Sequence, residues 1–186
     1  CALPISPEIF AGKRVVVVGG GNSGCDIVVE AAQFGVRAWH STRRGYYYMP
    51  KYLFGRPSDQ VGDQMLALGI PLVLRRAIAS FSYRILVGDP KKTGLPVPDH
   101  ALFETHPVVN TLLPYYVGQG DIIPVGDIAR FEDRTVHFTD GRSCEADLVV
   151  FATGYHIVFP FLDRRHLSWE GERPRLHHNV FHPVYD

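Results

Sequence analysis

Residues 15–30 read VVVVGGGNSGCDIVVE, and the glycines at 19, 21 and 24 follow four β-branched residues and precede an apolar run of helical period. That spacing suits a pyrophosphate. In a strand–turn–helix of this kind the first glycine makes the tight turn, the second lets the anion reach the backbone, and the third lets helix and strand pack closely. The anion then meets free N–H groups and the positive end of the helix dipole. Gly19, Gly21, Asn22, Ser23 and Gly24 are therefore the candidate phosphate contacts. Ser23 and Asp26 also form an S-x-x-D capping box. Capping is the expected role of Asp26, since a carboxylate beside a pyrophosphate would repel it; Asn22 and Ser23 stay open between phosphate contact and capping.

The second position that decides the ligand lies about 20 residues further on, at the end of the next strand, where an acid would bond the ribose 2′-hydroxyl of NAD. Here the chain reads HSTRRG at 40–45, with Arg43 and Arg44 where that acid would stand. Two guanidiniums suit a 2′-phosphate, because each presents forked donors for short, charge-assisted bonds. At ~1.5–3 kcal/mol for each such bond, one or two give a preference of tens to thousands for NADP(H) over NAD. Thr42 is a candidate for the phosphate or ribose, or for the turn backbone.

These residues need a βαβ frame. The order from Lys13 is strand, glycine turn, helix and strand, KRVVVV, GGGNSG, CDIVVEAAQF and VRAWHS. Cys25, Val28, Val29 and Ala32 fall on one helical face, and Gly35 stands where the helix should end. An apolar first strand reads as a central parallel strand covered on both faces, and 148–152 reads as another buried parallel strand. Residues 45–64 look irregular. Residues 65–87 are expected to form one or two helices, half buried against the body of the protein, with a membrane-surface or tunnel-lining role as the alternative. From Tyr115 the pattern turns extended, with a hairpin at Asp140-Gly141. The expected fold is α/β, a Rossmann-like three-layer dinucleotide-binding domain with a parallel sheet and a small antiparallel meander. Its divisions are a connector at 1–12, a binding domain at 13–152 with a helical or irregular insertion at about 45–114, and a return connector at 153–186.

Composition narrows the function classes. The 186 residues carry 19 Lys+Arg and 19 Asp+Glu, so no net charge recommends a nucleic acid or an anionic membrane. At 46% hydrophobic the chain can bury an ordinary core. Cys1, Cys25 and Cys144 form no CxxC pair, which argues against a disulfide framework, a zinc site or a dithiol centre and favours a reducing, cytoplasmic home. Arginines and a proline interrupt the most apolar run, which is short of a spanning helix.

Other candidates read more simply. His177, His178 and His182 suit a surface segment better than a metal site. His100 with Asp99, and His106, read as loop residues, since no nucleophile sits in a recognisable elbow. The tyrosines at 46–48 suit packing at least as well as stacking on adenine. Cys25, placed in the first helical turn, is expected to be a small core residue rather than an activated thiol.

Taken together, GGGNSGCDI, HSTRRG and VVFATGYH at 149–156 resemble the NADPH-binding half of flavin-containing monooxygenases and the related Baeyer-Villiger monooxygenases. The resemblance spans nearly the whole chain and implies an FAD-dependent enzyme in which NADPH reduces the flavin, O₂ is activated, and a nucleophilic N or S or a ketone is oxygenated. It implies an NADPH domain inserted in the FAD domain of the same polypeptide, with Thr153 and Gly154 at the second crossing, near the place where flavin and nicotinamide meet. No second G-x-G-x-x-G is present, and the family's motif with a His and an aromatic before this domain is absent. The chain is thus expected to be part of a longer polypeptide, to hold NADP(H) while FAD sits elsewhere, and to be inactive alone. Two rival readings are the NADPH domain of a disulfide or ferredoxin reductase, and a noncatalytic module that senses NADP(H).

Overall fold

The structure, a computed structural model, describes residues 6–53, 55–105, 107–155, 165, 168–171 and 173–177. Its centre is the valine run. β1 (Arg14–Val18) has a parallel neighbour on each side, so its four valines are buried on both faces of the sheet. Alternation sends Val15 and Val17 to one face and Val16 and Val18 to the other, where each contributes about 1.5–3 kcal/mol of burial.

α1 (Asn22–Phe34) follows the glycine turn and leads to β2 (Arg37–Ser41), which runs parallel to β1 with Val17 opposite His40. Its buried stripe is Gly24, Cys25, Val28, Val29 and Ala31. Ala31 joins that stripe, and Ala32, half-buried, packs against the same core. Gly35 ends the helix in an extended conformation, and its N–H donates to Ala31 O. It is needed for room: a Cβ there would come within 2.6 Å of Ala31 O and 2.9 Å of Lys13 O.

The stretch that reads as irregular contains short strands. β3 (Tyr48–Met49) pairs in parallel with a later segment, while β4 (Tyr52–Leu53) and β5 (Arg56–Pro57) form a tight hairpin. α2 (Ser58–Ala67), α3 (Leu72–Leu86) and the single turn α4 (Pro90–Thr93) follow. The half-buried expectation for this region holds for one face of α3, where Arg75, Arg76, Ile78, Ala79 and Ser82 are partly buried beside Tyr83, while the other faces are open. α2 buries no residue and α3 buries only Tyr83, which leaves Leu68, Val73, Phe81 and Ile85 exposed. No described helix is long and apolar enough to cross a membrane.

β6 (Val108–Val109) is the partner of β3 and leads into α5 (Leu112–Gln119), where an extended chain was expected from Tyr115. Two tertiary effects override local propensity there. Asn110 Oδ1 accepts from Leu112 N and Leu113 N, and the helix buries Leu113 and Val117 in the core shared with α1. Pro114 sits in the first turn, where its missing N–H is not needed.

β7 (Ile122–Val125) then joins the sheet beside β2, giving with a last strand, β11 (Leu148–Phe151), the order β11-β1-β2-β7, all parallel. β8 (Ile128–Glu132), β9 (Thr135–Phe138) and β10 (Ser143–Glu145) form an antiparallel meander with Asp140-Gly141 at its tip. Val136, Phe138 and Cys144 of the meander pack on Val16, Val18 and Val125, opposite the helices. The result is a three-layer α/β arrangement: helices, parallel sheet, meander. β11 (Leu148–Phe151) is parallel to β1 as expected but stands at the sheet edge, partly buried, with Phe151 exposed.

A first compact unit ends at Thr153. The second, from Gly154, contains the two-residue strands β12 (Trp169–Glu170) and β13 (Arg173–Pro174) paired antiparallel. His106, His156, His178 and His182 lie outside the described residues.

Candidate nucleotide-binding site

The three glycines differ in what their missing side chains leave room for. At Gly19 (φ +128°) any other residue is strained, and a Cβ would overlap the carbonyl oxygen of Ala152 at the end of β11. At Gly24, inside the first turn of α1, a Cβ would overlap Gly19 O. These two glycines let sheet and helix close on the turn. At Gly21 a Cβ would meet nothing within 4 Å, and the residue is exposed. Its backbone faces open space at the helix start, so a ligand approaching there meets no side chain.

Gly21 is also the N-cap of α1, and no side chain caps the helix. The N–H groups of the first turn are therefore left for an external acceptor. The capping box is overturned. The helix starts at Asn22, one residue before Ser23, and Asp26 Oδ1 instead accepts from Asn110 Nδ2 at 2.9 Å. Asn22 Oδ1 likewise accepts from Val109 N at 2.9 Å, so its side chain holds the β6 segment. Ser23 is exposed on the helix start. These two polar side chains thus hold the β6–α5 connection against α1, a function that local spacing does not reveal because 84 and 87 residues separate the partners.

The end of β2 is fastened to the same turn. Gly19 N donates to Ser41 O at 3.0 Å, and His40 Nε2 lies 2.9 Å from Gly19 O. Ser41 Oγ donates to Gly126 O at 2.8 Å, and Thr42 N donates to Val125 O. Thr42 Oγ1 is enclosed and has no partner among the described residues. Arg43 and Arg44 follow, both exposed. The Arg44 guanidinium carbon lies 5.4 Å from the centre of the Tyr46 ring, which attracts the cation by its π face. Tyr46 in turn covers Gly20 so closely that a Cβ on Gly20 would overlap the ring. Tyr46 therefore bridges the glycine turn and Arg44.

The remaining tyrosines pack: Tyr48 is in the core and Tyr47 meets Tyr83 and His100 edge-on. His100 bridges its own loop, Nδ1 to Asp99 Oδ1 at 3.0 Å and Nε2 to Thr105 Oγ1 at 2.8 Å. Cys25 is fully buried, and that burial pushes its thiol up to about 12, so it is a core residue rather than an activated one. Thr153 is exposed, and its backbone N would lie 3.4 Å from a Cβ on Gly19, which sets the end of β11 beside the glycine turn. Gly154 (φ +96°) opens the second unit. His40 is a contributor to this site that the sequence does not announce, its only signal being its place three residues before the arginine pair. Tyr46, left open between packing and stacking on adenine, packs on Gly20 and on Arg44.

Comparison with known proteins places these features in context. Residues 5–186 match the family model described as flavin-binding monooxygenase-like. Human flavin-containing monooxygenase 5 is 34% identical over 163 residues, which cover 85% of this chain and 30% of that protein. Human flavin-containing monooxygenase 3 is 31% identical over 185 residues, covering 97% of this chain and 35% of that protein. The chain thus spans about a third of the length of these relatives. Among solved structures, an oxidized steroid monooxygenase bound to NADP is similar in fold, with a TM-score of 0.54 at 19% identity, covering 78% of this chain and 39% of that one.

Proposed function

The chain belongs to the flavin-binding monooxygenase-like family, and from that membership we propose that residues 13–152 are the NADP(H)-binding portion of an FAD-dependent monooxygenase. The observation that carries the proposal is the pairing of two features on one surface: an uncapped helix start at Gly21 with room for a ligand, and an exposed arginine pair at the end of the adjacent strand.

In this reading the first-turn N–H groups of α1 hold the pyrophosphate, with Gly19, Gly21, Asn22, Ser23 and Gly24 shaping the approach. Arg43 and Arg44 take the 2′-phosphate, and Thr42 and Thr153 flank the nucleotide. Gly154 supplies the bend after the sheet. When bound, the nicotinamide supplies a hydride to the flavin, which other parts of the polypeptide hold. This chain's residues bind and orient. The substrate is a small molecule with a nucleophilic nitrogen or sulfur, or a ketone, and the setting is the reducing cytoplasm. Buried, unpaired Cys25 and Cys144 give no support to a dithiol reductase.

Calorimetric titration with NADP⁺ and NAD⁺, repeated on the Arg43→Ala/Arg44→Ala double variant, tests the proposal. The wild type should prefer NADP⁺ by tens to thousands of fold, and the variant should lose that preference. Equal affinity for the two nucleotides in the wild type, or an unchanged preference in the variant, overturns it.

A further inference from the structure

His40 occupies a place where a strand facing the helix layer needs only an apolar side chain. It is 1% exposed, opposite Val17 of β1 and Pro124 of β7, and its neighbour two residues back on the same face is Ala38. Burying an imidazole in that setting requires a partner. The partner is Gly19 O, 2.9 Å from Nε2. A carbonyl only accepts, so Nε2 carries the proton and the ring is the donor.

Gly19 is gripped twice by β2. Its N–H donates to Ser41 O, and its carbonyl accepts from His40. That carbonyl is aimed at α1, because it is the atom a side chain on Gly24 would overlap. In a planar trans peptide the C=O and the following N–H point in opposite directions. Turning Gly19 O toward α1 therefore points Gly20 N–H the opposite way, and Gly20 itself is buried beside the Tyr46 ring. Among the described residues that N–H has no acceptor.

We propose that His40 is a positioning residue of the anion site: its Nε2–H locks the Gly19–Gly20 peptide, and with it the turn that holds the uncapped start of α1 in place for the pyrophosphate of a dinucleotide. The inference rests on the NADP(H) reading above. A peptide already held in the binding orientation does not have to be ordered when the ligand arrives, and that is where affinity is gained. The arginine pair stands three and four residues further on, and neither arginine takes part in this bond.

The test uses the full-length protein with His40→Leu and His40→Gln, titrated with NADP⁺ and with 2′-AMP, which carries the 2′-phosphate but no pyrophosphate. Leu fills the space without a donor; Gln can place an N–H near the position of Nε2. His40→Leu should bind NADP⁺ about tenfold more weakly while its 2′-AMP affinity holds, and His40→Gln should recover most of the loss. If His40→Leu does not fold, His40→Asn replaces it, since its amide falls short of Gly19 O. The proposal is overturned if the donorless or short variant binds NADP⁺ as tightly as the wild type, or if NADP⁺ and 2′-AMP weaken together. A wild type that binds neither ligand overturns the NADP(H) reading itself, and this inference with it.

Discussion

Asn110 Nδ2 donates to Asp26 Oδ1 at 2.9 Å, while Asn110 Oδ1 accepts from the first N–H groups of α5. One buried side chain therefore caps one helix and ties it to the fifth residue of another. Asn110→Ala should cost about 2 kcal/mol of stability, as the sum of a lost cap and a lost bond to a largely exposed carboxylate. Asp26→Ala keeps the cap and should cost less. Urea unfolding of both variants measures the difference; equal losses would show that the cap contributes little.

The roles of the second and third glycines of the motif separate by substitution. Gly24→Ala puts a Cβ into the backbone of Gly19, so the helix must move away from the sheet, at a cost of roughly 1–3 kcal/mol. Gly21→Ala has open space and an ordinary φ of −78°, so stability should change by less than about 0.5 kcal/mol. In the NADP(H) reading the same substitution obstructs the ligand's approach. A melting curve and an NADP⁺ titration on each variant should therefore give opposite profiles: Gly24→Ala unstable, Gly21→Ala stable but weak in binding.

The buried thiols set an alkaline limit. Burial pushes Cys25 up to about 12 and Cys144 to about 11, against about 8.5 in an unfolded chain. The folded state then holds these protons where the unfolded state has lost them. Their contribution is complete below about pH 8.5 and falls as the pH rises toward 11–12. Urea unfolding at pH 7, 9 and 10 should show a decline above pH 8.5 that is shallower in Cys25→Ala. At pH 8, peptide mapping after a brief pulse of a thiol-reactive disulfide should find both sites unlabelled unless urea is present.

Acid should loosen the meander tip. Asp140 accepts from Arg142 and from Gly126 N, and these bonds, led by the Arg142 side chain, hold its carboxyl at about 2. A depressed folded value stabilises above the unfolded value near 3.9 and is lost as the pH falls toward 2. Asp140→Ala should therefore be less stable than the wild type at pH 6, and the gap should narrow by pH 2.5. A gap that stays constant with pH would assign the effect to packing.

Local sequence determined the core of this protein because its signals act over a few residues. Four valines, a glycine turn and a helical stripe specify β1, α1 and β2, and the Asp140-Gly141 pair specifies a hairpin, since each depends on backbone sterics and on the period of apolar side chains. The arginine pair was equally legible from its distance to the glycines. Tertiary structure decided the rest. Asn22 and Asp26 look like turn and cap residues until Val109 and Asn110 arrive from more than 80 positions away. α5 exists because Asn110 caps it and because Leu113 and Val117 find the α1 core, neither of which its own composition announces. The exposure of Val73, Phe81 and Ile85 on α3 was hidden for the converse reason: an apolar helix face states what it needs to cover it, but only the assembled chain shows whether anything does. His40 looks like one more strand residue, and its bond to Gly19 follows from how two parallel strands bring position 40 against the turn leaving position 18, a relation no spacing rule encodes.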